Sequence, residues 1–110
     1  KTIATNITAT ALLINFISPI ISKEGNALFF DDPCNGKKFF GAYGSSKIAQ
    51  MSLVQSWANE CKNFGPTVTV FRPAPMKTAL RARFFPGENK QKLLSPKSEA
   101  KRVLATLFDP

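Results

Sequence analysis

Gly41-Ala42-Tyr43-Gly44-Ser45-Ser46-Lys47-Ile48-Ala49-Gln50 is the stretch whose reading settles what the rest of the chain is for. Residues four apart share one face of a helix, a turn from each other, so Tyr43 and Lys47 project together. A free tyrosine titrates near about 10 and a free lysine near about 10.4. An ammonium beside a phenol favours the phenolate, which suits such a pair to general acid–base work nearer neutral pH. Gly44, Ser45, Ser46 and Ala49 are small and let a helix or a ligand approach closely. The same spacing occurs in ordinary amphipathic helices, so the neighbours of the motif decide its meaning.

Upstream, Thr5 to Ser22 reads as a helix with little polar surface, hence mostly buried, with Pro19 kinking its last turns. Lys23-Glu24-Gly25-Asn26 is a turn, with Gly25 suited to a helix C-terminus. Ala27-Leu28-Phe29-Phe30 has the length and continuity of a strand buried on both faces, as in a parallel sheet. Asp31 to Lys38 is a loop of turn formers. The Tyr43 helix should run to about Asn63, with Lys47, Met51, Val54, Ala58 and Cys61 along one stripe and Ile48 and Trp57 widening it. Such a stripe is core before it is anything else. Phe64-Gly65-Pro66 ends it.

Downstream, Thr67-Val68-Thr69-Val70-Phe71 alternates and is β-branched, a strand. Two prolines make Arg72-Pro73-Ala74-Pro75-Met76 a loop. Lys77 to Phe85 reads as helical, Pro86 to Asn89 as a turn, and Ser95-Pro96 as the N-cap and first residue of a last helix carrying Val103, Leu104 and Leu107. Strand, helix, strand in this order implies parallel strands and a right-handed crossover, an α/β architecture with both sheet faces covered. Two strands alone leave raw edges. The chain opens at Lys1-Thr2-Ile3 with neither an initiator methionine nor a charged-then-apolar leader. The sequence therefore predicts a piece of something larger.

Composition narrows the chemistry. The chain has 110 residues, 44% of them hydrophobic, and suits one globular domain at most. Histidine is absent and the two cysteines, Cys34 and Cys61, form no CxxC pair. The usual zinc sites, or any metal site of that kind, and Ser-His-Asp or Cys-His catalysis are thereby excluded. Scattered thiols suit a reducing cytoplasm. No apolar run reaches the roughly 18 to 20 residues of a membrane span. Net charge is +8, and the excess lies late: nine cations between Arg72 and Arg102 face only Glu88 and Glu99. Such a patch can attract nucleic acid, an acidic membrane or a phosphorylated small molecule, or can be a solvated surface.

Taken together, these features resemble the C-terminal half of a short-chain dehydrogenase/reductase. That family's Tyr-x-x-x-Lys matches Tyr43 to Lys47, with Gly41-Ala42 before it and Ala49 after it. Its helical asparagine matches Asn6. Its Pro-Gly-x-x-x-Thr loop resembles Pro73-Ala74-Pro75-Met76-Lys77-Thr78, with Ala74 in place of the glycine. A short apolar strand precedes the tyrosine motif at the family's distance. The resemblance implies the C-terminal part of a doubly wound, parallel-sheet Rossmann fold. Residues 1–110 would be a partial NAD(P)-binding domain whose N-terminal, glycine-rich dinucleotide-binding unit is absent.

The resemblance also implies roles. Tyr43 is the general acid or base, Lys47 lowers its pKa and binds the nicotinamide ribose, and Asn6 holds a relay water. NAD or NADP is the cofactor, contacted by Tyr43, Lys47, Pro73, Ala74, Met76 and Thr78. The partners are a small carbonyl or alcohol substrate and further copies of the chain in a homodimer or homotetramer, with no nucleic acid and no membrane. The segment from Met76 to Leu94 corresponds to a lid over the substrate, which brings in Arg81, Arg83, Phe84 and Phe85. One departure stands out. The family's substrate-orienting serine falls at Phe30, and no Ser or Thr lies between Ala27 and Ala42. Asp31 or Asp32 could take the place, yet an ionised carboxylate only accepts hydrogen bonds. Phe30, Asp31, Asp32 and Arg81 are thus the candidate substrate residues. Two other readings remain: a catalytically impaired relative, and a basic nucleic-acid-binding module carrying no recognised nucleic-acid motif.

Overall fold

Two five-residue runs, Asn26-Ala27-Leu28-Phe29-Phe30 and the β-branched Thr67-Val68-Thr69-Val70-Phe71, pair side by side. In the computed structural model, which describes residues 1–33, 36–76 and 78–108, they are β1 (Asn26–Phe30) and β2 (Thr67–Phe71). They run parallel in the register Asn26 to Thr67 through Phe30 to Phe71. The Thr67 amide donates to the Gly25 carbonyl and the Asp31 amide to the Phe71 carbonyl, each at 3.0 Å, which extends the ladder at both ends. The described chain divides into two units, residues 1–71 and 72–110.

Unit 1 opens with a π-helical turn (Ala4–Thr8), continues into α1 (Ala9–Ile17), and connects β1 to β2 through α2 (Gly41–Cys61). The helices pack on one sheet face. Ala27 and Phe29 of β1 and Val68 of β2 meet Ile14 and Ile17 of α1, Ile21, and Leu53, Trp57 and Cys61 of α2. The Trp57 and Phe29 rings meet edge to face, centroids 6.3 Å apart, a favourable aromatic geometry. Burial pushes the Cys61 thiol up, and neighbouring Glu60 adds to it; the sulfur fills core space as a protonated thiol.

Several expectations need correction. The first helix is not mostly buried: only Thr10 and Ile14 are, while Leu12, Leu13, Phe16 and Ile20 are at least half exposed. A helix against a two-stranded sheet can bury only one stripe, whatever its composition. It also ends at Ile17, ahead of Pro19, so Gly25 caps no helix. The Tyr43 helix buries Gly44, Ser46, Val54, Trp57 and Cys61, whereas Ile48 is half exposed. Within unit 1 the packing covers one sheet face, and Phe30 and Phe71, on the other, meet edge to face with Phe30 half exposed.

Gly65 ends α2 as expected. Its amide donates to the Cys61 carbonyl at 2.8 Å and its φ is +72°, in the region open to glycine. A Cβ there would lie 2.1 Å from the Lys23 carbonyl oxygen. Gly36 has the same φ with nothing within 4 Å of such a Cβ. Gly65→Ala should therefore cost more than about 2 kcal/mol, the left-handed penalty plus displacement of the Lys23 backbone, whereas Gly36→Ala carries only the first term. Urea midpoints of the two variants measure the difference.

Unit 2 contains α3 (Ala79–Phe84), a 3-10 turn (Lys90–Lys92) and α4 (Pro96–Phe108). The Thr78 hydroxyl accepts the Arg81 amide at 3.1 Å and caps α3. Ser95 caps α4 by accepting the Ser98 amide at 3.1 Å, with Pro96 opening the helix as its fixed φ favours. The expected helix start at Lys77, the loop thiol Cys34 and the terminal Asp109-Pro110 lie outside the described residues.

Candidate active site

The chain leaves β1 through Asp31 and Asp32 and re-enters regular structure at Gly41. Between them Gly36 and Phe39 take φ of +72° and +70°. For a phenylalanine this costs roughly 1–2 kcal/mol. The Gly44 amide donates to the Phe40 carbonyl, starting α2, and the Phe40 ring lies tilted against Tyr43 with centroids 6.2 Å apart. This brings the first two turns of α2 beside the C-terminal end of β1.

There the two residues of the motif reach the same strand end. The Tyr43 hydroxyl donates to Asp32 Oδ2 at 2.8 Å. Lys47 Nζ donates to the Phe30 carbonyl at 3.0 Å and to Gln50 Oε1 at 2.6 Å. Both side chains are half-buried. Phe30 thus enters through its backbone carbonyl. Asp31 contributes its amide to the sheet ladder.

Asn6 sits in the π-helical turn, a local widening often found at functional positions. Its Nδ2 donates to Ser46 Oγ at 2.9 Å, and Ser46 Oγ donates onward to the Tyr43 carbonyl at 2.7 Å. One turn later Gln50 Nε2 donates to Thr10 Oγ1 at 3.1 Å. Ser46 and Thr10 are buried, and each has a partner. A polar seam therefore runs between the first helix and α2 directly behind the motif, and it fixes the rotation of α2 and the direction of Tyr43 and Lys47. The sequence marks Ser46 only as a small residue that permits close approach, and gives Gln50 and Thr10 no role. The spacing of Asn6 and Thr10, four apart like Ser46 and Gln50, was the available signal.

Unit 1 accordingly gathers Asn6, Tyr43, Lys47, Phe30, Asp31 and Asp32. The other candidates belong to unit 2. Ala74 donates its amide to Glu99 Oε2 at 2.8 Å. Met76 bridges to Leu94 across the loop, with the Leu94 amide on the Pro75 carbonyl at 3.3 Å. Pro73 is half-buried. Arg81 grips Glu88 through Nε at 2.9 Å and Nη2 at 2.7 Å and stacks on the Phe85 ring, 4.2 Å from its centroid. The Arg81 guanidinium holds the Glu88 carboxyl below its ordinary range. Thr78, Arg81, Phe85 and Leu93 line a cleft of about 300 Å³. Both carboxylates of the basic stretch pair with one arginine each, Glu88 with Arg81 and Glu99 with Arg102. Among the described residues no cluster of His, Cys, Asp and Glu could hold a metal ion, and no helix is long and apolar enough to cross a membrane.

An α/β unit with parallel strands and a polar cluster at the strand ends is the class of architecture that holds ligands there. The chain is 33% identical over 95 residues to the uncharacterized oxidoreductase YciK of Escherichia coli (strain K12), a match covering 83% of this chain and 37% of that protein. The chain thus spans well under half the length of this relative. No family model matches the sequence. No solved structure matches it either.

Proposed function

We propose that the chain is the C-terminal half of a doubly wound Rossmann domain in an NAD(P)-dependent oxidoreductase of the short-chain dehydrogenase/reductase type. One observation carries this reading: Tyr43 and Lys47, on successive turns of α2, both hydrogen-bond to the C-terminal end of β1, at Asp32 and at the Phe30 carbonyl. Similarity to an oxidoreductase over most of the chain supports it.

The donor set suits a nicotinamide riboside, whose hydroxyls take hydrogen bonds from an ammonium and a phenol. The cofactor, when bound, supplies or accepts the hydride. Tyr43 gives a proton to the carbonyl oxygen of the substrate in reduction and takes the alcohol proton in oxidation. Lys47, anchored on the Phe30 carbonyl and Gln50, presents positive charge to the phenol and holds the ribose. Asn6 positions Tyr43 through Ser46 and supports the relay water. The proposal also gives Pro73, Ala74, Met76 and Thr78 to the cofactor, and a homodimer or homotetramer to the complete protein.

A second reading, a catalytically impaired relative, has its own observation. The phenol donates to a carboxylate, and Phe30 offers no hydroxyl to orient a carbonyl. A lost oxyanion-type donor costs about 10²–10³ in rate. Titration of the complete polypeptide with NADH and with NADPH, followed by nicotinamide fluorescence, separates the readings from a non-redox role. Saturable binding of one nucleotide with turnover of a carbonyl panel is expected. Binding without turnover selects the impaired relative, and no binding of either removes both.

A further inference from the structure

We infer that Glu99 is a positioning residue that sets the shape of the Pro73–Thr78 loop through the Ala74 amide. The inference rests on the proposed role of that loop in holding the cofactor. In Pro73-Ala74-Pro75 both prolines lack an N–H, so Ala74 supplies the only backbone donor of the three. Glu99 Oε2 takes it at 2.8 Å. The same carboxylate is gripped by Arg102, Nε on Oε1 at 3.0 Å and Nη2 on Oε2 at 2.9 Å.

Glu99 is 3% exposed. A buried carboxylate stays in a fold only when its oxygens are satisfied, and here three donors converge on it. Arg102 first, and the Ala74 amide second, hold its carboxyl below the ordinary glutamate range. Glu99 is not needed to cap α4, since Ser95 accepts the Ser98 amide. Its carboxylate is instead spent on a loop twenty-five residues upstream. Among the described residues, the loop is also tied by the Leu94 amide on the Pro75 carbonyl and by the Thr78 cap on α3. Neither touches Ala74, so without Glu99 the middle of the loop keeps its prolines but loses its anchor.

The test compares Glu99→Ala, Glu99→Gln and Val103→Ala in the complete protein. Val103 is buried on the same helix and controls for loss of stability. Glu99→Ala should raise the Kd and KM for the preferred nicotinamide nucleotide about tenfold, with kcat changed less than about threefold. Glu99→Gln, which keeps an acceptor for the Ala74 amide, should recover most of the affinity. Val103→Ala should lower the melting temperature without moving KM. If Glu99→Ala yields no folded protein, Glu99→Asp, one methylene shorter, should weaken binding in the same direction. Amide exchange at Ala74 is the readout independent of activity: protected in the wild type and in Glu99→Gln, fast in Glu99→Ala. Unchanged nucleotide affinity or unchanged Ala74 protection in Glu99→Ala overturns the inference, as does an equal rise in KM from Val103→Ala. A wild type that binds neither NADH nor NADPH overturns the proposed function itself, and the cofactor consequence of Glu99 with it.

Discussion

Tyr43→Phe in the complete protein is expected to lower kcat by about 10²–10⁴-fold, the range of a positioned general acid or base, while weakening nucleotide affinity by no more than about tenfold, the worth of one hydrogen bond to the ribose. Phenylalanine keeps the ring and its tilted contact with Phe40, and removes only the hydroxyl that donates to Asp32. The side chain is half-buried, so the change opens no core cavity and the melting temperature should move little. Loss of turnover with binding retained is thus attributable to the proton. Initial rates of nicotinamide oxidation, paired with a fluorescence titration, measure both quantities. A variant within tenfold of the wild-type rate would mean that the proton comes from elsewhere, with Asp32 the next group to replace.

The largest structural effect should come from Trp57→Ala. Trp57 is 4% exposed and stands where α2 crosses the sheet, edge-on to Phe29 and beside Ile14, Ala27 and Cys61. Truncating a buried aromatic to alanine costs about 3–5 kcal/mol, transfer plus cavity. Whole domains are stable by only about 5–15 kcal/mol, so this one change consumes a large part of the margin. Denaturant melts should show a midpoint shifted strongly down. Ile48→Ala, on the same helix but half exposed, should shift it far less. Equal shifts would mean that α2 does not pack through its Trp57 face.

Much of the local structure was legible because its causes are local. Thr67-Val68-Thr69-Val70-Phe71 is a strand within its own five residues, and β2 has those bounds. Ser95-Pro96 marks the start of α4, and Gly65 the end of α2, because capping and positive φ are properties of one or two residues. The parallel pairing of β1 and β2 follows from the long helix between them. The exposure of the first helix has the opposite, non-local cause. Leu12, Leu13, Phe16 and Ile20 are apolar, but burial requires a partner surface, and composition does not say how much of one there is.

The site divides the same way. By itself the sequence determined that Tyr43 and Lys47 share a helix face, since four residues make about one turn, and that no serine stands at the end of β1. Tertiary structure alone decided that Asp32 meets the phenol, that Lys47 anchors on the Phe30 carbonyl, and that Asn6 reaches Tyr43 through Ser46. It alone decided that Glu99 holds the Ala74 amide from twenty-five residues away. The physical reason is range: helical periodicity and turn chemistry act over a few residues and can be read along the chain. Hydrogen bonds between distant segments exist only once hydrophobic packing has brought those segments within 3 Å of each other.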